Sequence, residues 1–146
     1  MRTRALRGAL LAMVVAAVAA GPAAWAQDGT FPFRADAARL AADRHTVVVS
    51  GTYTCGPLDL DVVSGGGSVE LTVRQGRVQG FGYAPIEVCD GTAQAFQAEV
   101  TTFGEPAFKW GAATLLAGGQ IRGELDGQKV TLTPRPGRQR ITITRR

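Results

Sequence analysis

The residues with the greatest potential for catalysis in this chain are its one histidine and a few serines. A Ser–His–acid triad would have to combine His45 with Ser50, Ser64 or Ser68. Ser64 and Ser68 flank a glycine run, and His45 opens a predicted strand, so no strand-to-helix turn presents a nucleophile. We therefore interpret His45 as a surface residue and predict no catalytic residues and no enzymatic activity.

Three aspartates are the remaining candidates for chemistry. Asp59 and Asp61 share one face of an extended chain, and Asp90 adjoins Cys89. Their oxygens could serve Ca²⁺, or two of them could act as the carboxylate pair of a glycosidase. The alternative is that they are solvated loop carboxylates. We favour solvated carboxylates because no calcium-loop spacing is present. A zinc site is excluded separately, since one histidine and two cysteines cannot supply its ligands. We predict no metal and no cofactor.

The N-terminus predicts export. Basic residues precede an apolar run from Gly8 to Ala20, and Pro22 follows. The run is shorter than the ~20 residues of a membrane span. The predicted cleavage residues are Ala24, Ala26 and Gln27. Residues 1–26 are therefore interpreted as a cleaved signal peptide, and we expect an extracellular protein without a membrane span after cleavage.

Cleavage would also change the charge and the redox setting of the chain. Three of the 16 basic residues and none of the 12 acidic ones lie in residues 1–26, so the formal net charge falls from +4 to +1. This near-neutral balance argues against nonspecific nucleic-acid binding. In an oxidising compartment the only two cysteines, Cys55 and Cys89, should form a structural disulfide.

From His45 onward the sequence alternates with a period of two, which is typical of half-buried strands. One example places Val47, Val49 and Tyr53 on one face. The strongest local signal is Asp126-Gly127, which predicts a type I′ hairpin with Ile121 opposite Leu132. About seven to nine short strands of this kind predict a β-sandwich or a small barrel, and a sandwich is the preferred interpretation.

Residues 27–44 differ from the rest. Gln27 to Phe33 is predicted to be an arm, and Ala35 to Arg44 is the only stretch with good helix formers. We interpret it as a frayed turn or a short docked helix. The domain organisation predicted from the sequence is thus a signal peptide at 1–26, an arm at 27–44 and a β-sandwich domain at 45–146.

The segments Val49 to Cys55, Val69 to Gly76 and Val88 to Thr92 contain the patterns G-T-Y-x-C and C-D-G-T. In these segments the chain resembles an uncharacterised family of small secreted actinobacterial proteins. The resemblance implies an immunoglobulin-like antiparallel β-sandwich with one disulfide, and it carries no active-site residue. Trp110 follows Cys89, whereas antibody-type domains place their tryptophan between the cysteines.

Two further features bear on function. Five arginines make the C-terminus basic, which indicates either attraction to anionic envelope polymers or an edge strand protected from aggregation; we prefer the edge strand. They are Arg135, Arg138, Arg140, Arg145 and Arg146. Most aromatic residues are expected in the core, although an exposed Phe81–Tyr83 pair would indicate a binding edge.

These observations favour a secreted noncatalytic domain with a binding or structural role. Its partner would be an extracellular protein or a cell-envelope component. The alternatives are a small-molecule carrier, with a pocket beside Phe108 and Trp110, or a protease inhibitor, with an exposed loop at Thr133 to Gly137.

Overall fold

The computed structural model describes residues 27–61, 67–104 and 106–145, and within these ranges the chain forms ten β-strands and no helix. The strands are β1 (Gln27–Leu40), β2 (Thr46–Thr54), β3 (Asp59–Leu60), β4 (Ser68–Gln75), β5 (Val78–Pro85), β6 (Ala93–Thr102), β7 (Gly111–Gly118), β8 (Ile121–Leu125), β9 (Gln128–Arg135) and β10 (Arg138–Thr144). In the part of the chain described, no helix is long and apolar enough to cross a membrane. The cleavage residues Ala24 and Ala26 lie outside these ranges.

Seven of the strands close into a barrel in the order β10-β7-β4-β5-β6-β2-β1. Parallel pairing of Ala38 with Ile143 and of Arg39 with Thr144 joins β1 to β10 and completes the ring. The all-β prediction is confirmed, but the strands form a closed barrel where two packed sheets were expected. Alternation could not separate the two architectures, because each buries one face of every strand.

The arm predicted at Gln27 to Phe33 is wrong, as is the short helix considered for Ala35 to Arg44, because β1 occupies Gln27–Leu40. Of the predicted frayed turn, only the turn after Ala41 is present, where Arg44 N donates to Ala41 O. The first half of β1 pairs in parallel with β9, and the second half pairs with β2 inside the barrel. A bulge between Ala35 and Ala37 lets the strand change direction. Buried Phe31, Phe33 and Ala38 give the strand more stabilisation than the local helix propensity of a short alanine-rich segment.

The Asp126-Gly127 hairpin is confirmed in its register. Ile121 pairs with Leu132, and Glu124 pairs with Lys129. Asp126 and Gly127 have φ values of 49° and 77°, as a type I′ turn requires. The hairpin β8–β9 extends from β1, and short β3 adds to its far edge, so these strands form a flap beside the barrel.

Apolar side chains from every barrel strand fill one continuous core. The rings of Phe33 and Phe96 stack inside it with centroids 4.4 Å apart. The inward alternation predicted for β2, β4, β6 and β10 is confirmed by fully or nearly fully buried side chains. They include Val47, Val49, Val69, Leu71, Val73, Val100, Ile141 and Ile143. The positions between them therefore form the outer surface of the barrel.

Candidate binding surface on the outside of the barrel

The two cysteines form the expected disulfide. Cys55 and Cys89 are bonded with their Cα atoms 4.9 Å apart, and both are buried. Hydrogen bonds on either side hold the two segments together: Leu58 N donates to Cys89 O, and Gly91 N donates to Cys55 O, both at 2.7 Å. The bond thus joins the end of β2 to the segment between β5 and β6.

The candidate catalytic histidine contacts a threonine. His45 Nδ1 lies 3.0 Å from Thr102 Oγ1, in the segment where β2 begins and β6 ends. Of the serines considered with it, Ser50 lies in the middle of β2 and Ser68 begins β4. Ser64 falls outside the described residues. The structure records no His45–serine hydrogen bond in the described ranges.

The three aspartates fall into two separate settings. Asp90 Oδ1 accepts hydrogen bonds from Thr92 N at 2.9 Å and from Thr92 Oγ1 at 2.6 Å, and it lies 3.3 Å from Gln94 Nε2. These bonds lower the pKa of the Asp90 carboxyl, the Thr92 hydroxyl contributing most. Asp59 instead lies opposite Glu124 in the β3–β8 strand register. Asp59, Asp61 and Glu124 all line one cleft on the flap. Within the described ranges, no three His, Cys, Asp or Glu side chains form a group that could hold a metal.

Four aromatic side chains of the described residues are exposed, among them the Phe81–Tyr83 pair whose exposure the sequence left open. Phe103 is 79% exposed, Tyr83 65%, Trp110 60% and Phe81 45%. The exposure of Phe81 and Tyr83 follows from the strand phase, because Gly80, Gly82 and Ala84 take the inward positions of β5. The sequence contained this signal as small residues alternating with aromatics, and it placed Phe81 and Tyr83 on one face without determining whether that face points inward or outward.

Phe81, Tyr83 and Phe103 form one surface, which we call the aromatic patch. The Phe81 and Phe103 ring centroids are 5.9 Å apart. Tyr83 is two residues from Phe81 on the same strand face, about 7 Å along the strand. Glu70 is the cross-strand partner of Tyr83 on β4, so a carboxylate adjoins the rings.

A row of arginines lies beside the aromatic patch on the same outer face. Thr114 of β7 pairs with Arg140 of β10 on one side and with Arg74 of β4 on the other. We call these three residues the basic row. They line a shallow cleft of about 550 Å³. β10 pairs with β7 from Arg138 to Ile143 but with β1 only at Ile143 and Thr144. Arg138 and Arg140 therefore lie where one side of β10 has no strand partner among the described residues, and protection of that edge stays a prediction.

The remaining exposed aromatic of the described residues, Trp110, immediately precedes β7, at the end of the barrel where β4 and β6 also end. Two interactions fix this region. Gln75 Nε2 donates to Lys109 O, and Gln75 Oε1 accepts from Lys109 N, each at 2.8 Å, which fixes the chain next to Trp110. The Arg145 guanidinium lies 5.0 Å from the centroid of the Trp110 ring. Phe108 is fully buried in the core. The two residues therefore do not line one shared pocket.

An apolar cleft of about 680 Å³ lies between the barrel and the flap. Phe31, Leu58 and Leu132 contribute to its lining, and half-exposed Leu125 stands at its margin. The segment Thr133 to Gly137, considered as the exposed loop of a protease inhibitor, is not an extended loop at its start. Thr133, Pro134 and Arg135 belong to β9, and Pro134 is buried.

Comparison of the chain with protein-family models, with curated proteins and with solved structures finds no match.

Proposed function

We propose that this protein is an exported, noncatalytic binding module that holds an extracellular or cell-envelope polysaccharide on the outside of its barrel. The observation that carries the proposal is the aromatic patch. Three large aromatic side chains are exposed together on one side of a rigid sheet, and contiguous exposed apolar surface of this kind marks interaction sites.

The polar surroundings of the patch favour a sugar polymer as its ligand. A pyranose ring has an apolar C–H face, which can lie on an aromatic ring, and hydroxyl groups around its rim. Glu70, Thr72 and Thr101 are the cross-strand neighbours of Tyr83 and Phe81, and their side-chain oxygens can bond those hydroxyls. Apolar faces ringed by hydrogen-bonding groups are also typical of the centre and rim of binding surfaces.

Export and lack of catalysis belong to the same proposal. The signal-peptide pattern and the observed disulfide support an oxidising, extracellular location. The contact of His45 with Thr102 supports a structural role for the histidine, and the short-range bonds of Asp90 support a turn-stabilising role for that carboxylate.

The test is the migration of the mature, disulfide-bonded protein in native gels cast with soluble xylan, β-glucan or polygalacturonate. We expect at least one polymer to retard the native protein. Replacing Tyr83 and Phe103 together by alanine should abolish the retardation. Trp110→Ala is the matched control, since Trp110 is about as exposed as Tyr83 but lies outside the patch. Equal migration with and without every polymer, or retardation that survives the double substitution, would overturn the proposal.

A small-molecule carrier is the second candidate, because the apolar cleft beside the flap has the volume of common ligand pockets. Such a protein would bind an apolar dye in that cleft. Leu132→Glu should then remove the dye fluorescence, and Tyr83→Ala should leave it unchanged. A dye signal that is absent from the native protein, or unaltered by Leu132→Glu, rules out this candidate.

A further inference from the structure

We infer that the bound polymer carries carboxylate groups, and that the basic row of Arg74, Thr114 and Arg140 is their binding site. The ligand class is therefore a linear polyuronate. This inference rests on the proposed function, because the aromatic patch supplies the contact with the sugar rings and the basic row supplies the contact with their charges.

The register of three adjacent strands creates the anion site. Arg74 and Arg140 oppose the same residue, Thr114, from its two sides. Two strand spacings place the arginine backbones about 10 Å apart, and both side chains are long enough to converge above the Thr114 hydroxyl. Two guanidinium groups and one hydroxyl around a shared cleft provide several donors for a carboxylate.

The free protein leaves these charges uncompensated. In the described part of the chain, neither Arg74 nor Arg140 forms an ion pair with a carboxylate. Arg138 lies on the same face of β10, two residues from Arg140, and adds a third positive charge nearby. Like charges close together on one sheet face repel each other, so an anion above Thr114 relieves a repulsion that exists without ligand.

The basic row and the aromatic patch form one continuous track across the strands. Arg138 pairs with Leu116, Leu116 with Thr72, and Thr72 with Phe81. Three strand spacings therefore separate β10 from Phe81, or about 14 Å. An extended polymer of a few sugar units can reach from the arginines to the rings, with half-exposed Thr114, Leu116 and Thr72 beneath it.

The two halves of the track together select among anionic polymers. Phosphate polymers without rings would satisfy the arginines and leave the aromatic patch uncovered. Single-stranded DNA offers rings and charges, but its backbone has no free hydroxyls to donate to Glu70 beside Tyr83. A polyuronate repeats a ring face, hydroxyl groups and a carboxylate in every unit. The net charge of +1 expected after cleavage also disfavours a general nucleic-acid surface.

The experiment is calorimetric titration of the mature, oxidised protein with oligogalacturonides of increasing length. We expect affinity to rise with length until the oligomer spans the track, and to fall with added salt. Arg74→Gln combined with Arg140→Gln should weaken binding at least about tenfold, because charge-assisted hydrogen bonds are lost. The control is Arg122→Gln combined with Lys129→Gln, which removes the same charge from the flap.

Three results would overturn the inference. They are the absence of oligogalacturonide binding, an equal loss of affinity in the basic-row and flap variants, and tighter binding of oligothymidylate or polyphosphate than of oligogalacturonide. Failure of this inference differs from failure of the proposed function. If a neutral glucan binds, depends on Tyr83 and Phe103, and is unaffected by Arg74→Gln with Arg140→Gln, the polysaccharide-binding function stands without the anion site.

Discussion

The side chain of Gln139 bonds the backbone of Ala35 across the seam where β10 meets β1. Its Oε1 atom accepts a hydrogen bond from Ala35 N at 2.9 Å, and its Nε2 atom donates to Phe33 O at 3.0 Å. The paired residues of β1 and β10 begin only at Ala38 and Ile143. The amide of Gln139 thus replaces the strand-to-strand hydrogen bonds that the bulge of β1 interrupts.

Removal of this amide should destabilise the barrel. Gln139→Ala leaves two partly buried backbone groups without their partner, and we expect a loss of about 1–3 kcal/mol of unfolding free energy. Chemical denaturation measures it. The control is Gln97→Ala on β6, where the side chain is exposed. Equal stability of the two variants would show that the seam does not depend on Gln139.

The flap hairpin provides a separate test of backbone conformation. Gly127 has a φ of 77°, and a Cβ there would meet only Glu124 Oε1, at 4.0 Å, so Gly127→Ala changes mainly the conformational cost. We expect a loss of about 1 kcal/mol, because alanine disfavours the left-handed region. Gly118→Ala is the matched control, since a Cβ there meets nothing within 4 Å and its φ is not positive. If Gly118→Ala were as destabilising as Gly127→Ala, the turn assignment would be refuted.

The disulfide should contribute substantially to stability. Cys55 and Cys89 are separated by 34 positions, and closing such a loop stabilises the folded state by about 3–4 kcal/mol in the chain-entropy model. Replacing both cysteines by serine should therefore lower the melting temperature sharply, as measured by calorimetry. A reductant should lower the melting temperature of the native protein and leave that of the double variant unchanged. A native protein insensitive to reduction contradicts this expectation.

Acid should weaken the fold through Asp43 and Asp90. Hydrogen bonds from Thr46 lower the pKa of Asp43, and those from Thr92 lower the pKa of Asp90, in both cases from an ordinary value of 3.8. Since the folded pKa values lie below the unfolded ones, the stabilisation is complete above the unfolded value and is lost as the pH falls through the folded value.

Melting temperatures recorded from neutral pH into the acid range should therefore stay level and then fall below the ordinary carboxyl pKa. Asp90→Ala should make the fall shallower than in the native protein. Glu87→Ala, which removes another exposed carboxyl of the same segment, should keep the native shape. An identical acid profile for Asp90→Ala and the native protein would contradict the role given to the Thr92 bonds.

Sequence patterns predicted what depends on neighbouring residues. Alternation in β2 and β10 identified the inward valines and isoleucines, and Asp126-Gly127 determined the register of the hairpin. The pairing of Ala38 with Ile143 was not predictable in this way, because contact between strands so distant in sequence depends on how the whole sheet curves. The segment Ala35 to Arg44 was interpreted as a frayed turn or a short docked helix for the same reason: up to Leu40 its local propensity is opposed by pairing on both sides of β1.

The candidate surface was recognised only in part from the sequence. Phe81 and Tyr83 were seen to share a face, and the C-terminal arginines were seen as a basic group. The alignment of Arg74 with Arg140 on the two sides of Thr114 required the strand order, since β4, β7 and β10 are not consecutive. The exposure of Phe103 depends on its position just after β6, which periodicity does not determine.

Closure of the barrel by its first and last strands has a consequence for the order of events in biogenesis. Until β10 is available, β1 and β7 both lack a neighbour that completes the ring. A partly translated chain therefore cannot acquire its final shape, however many of its earlier strands have been made. We expect folding to be completed late and in a single event, and the nascent polypeptide to need protection from self-association until its last strand is available.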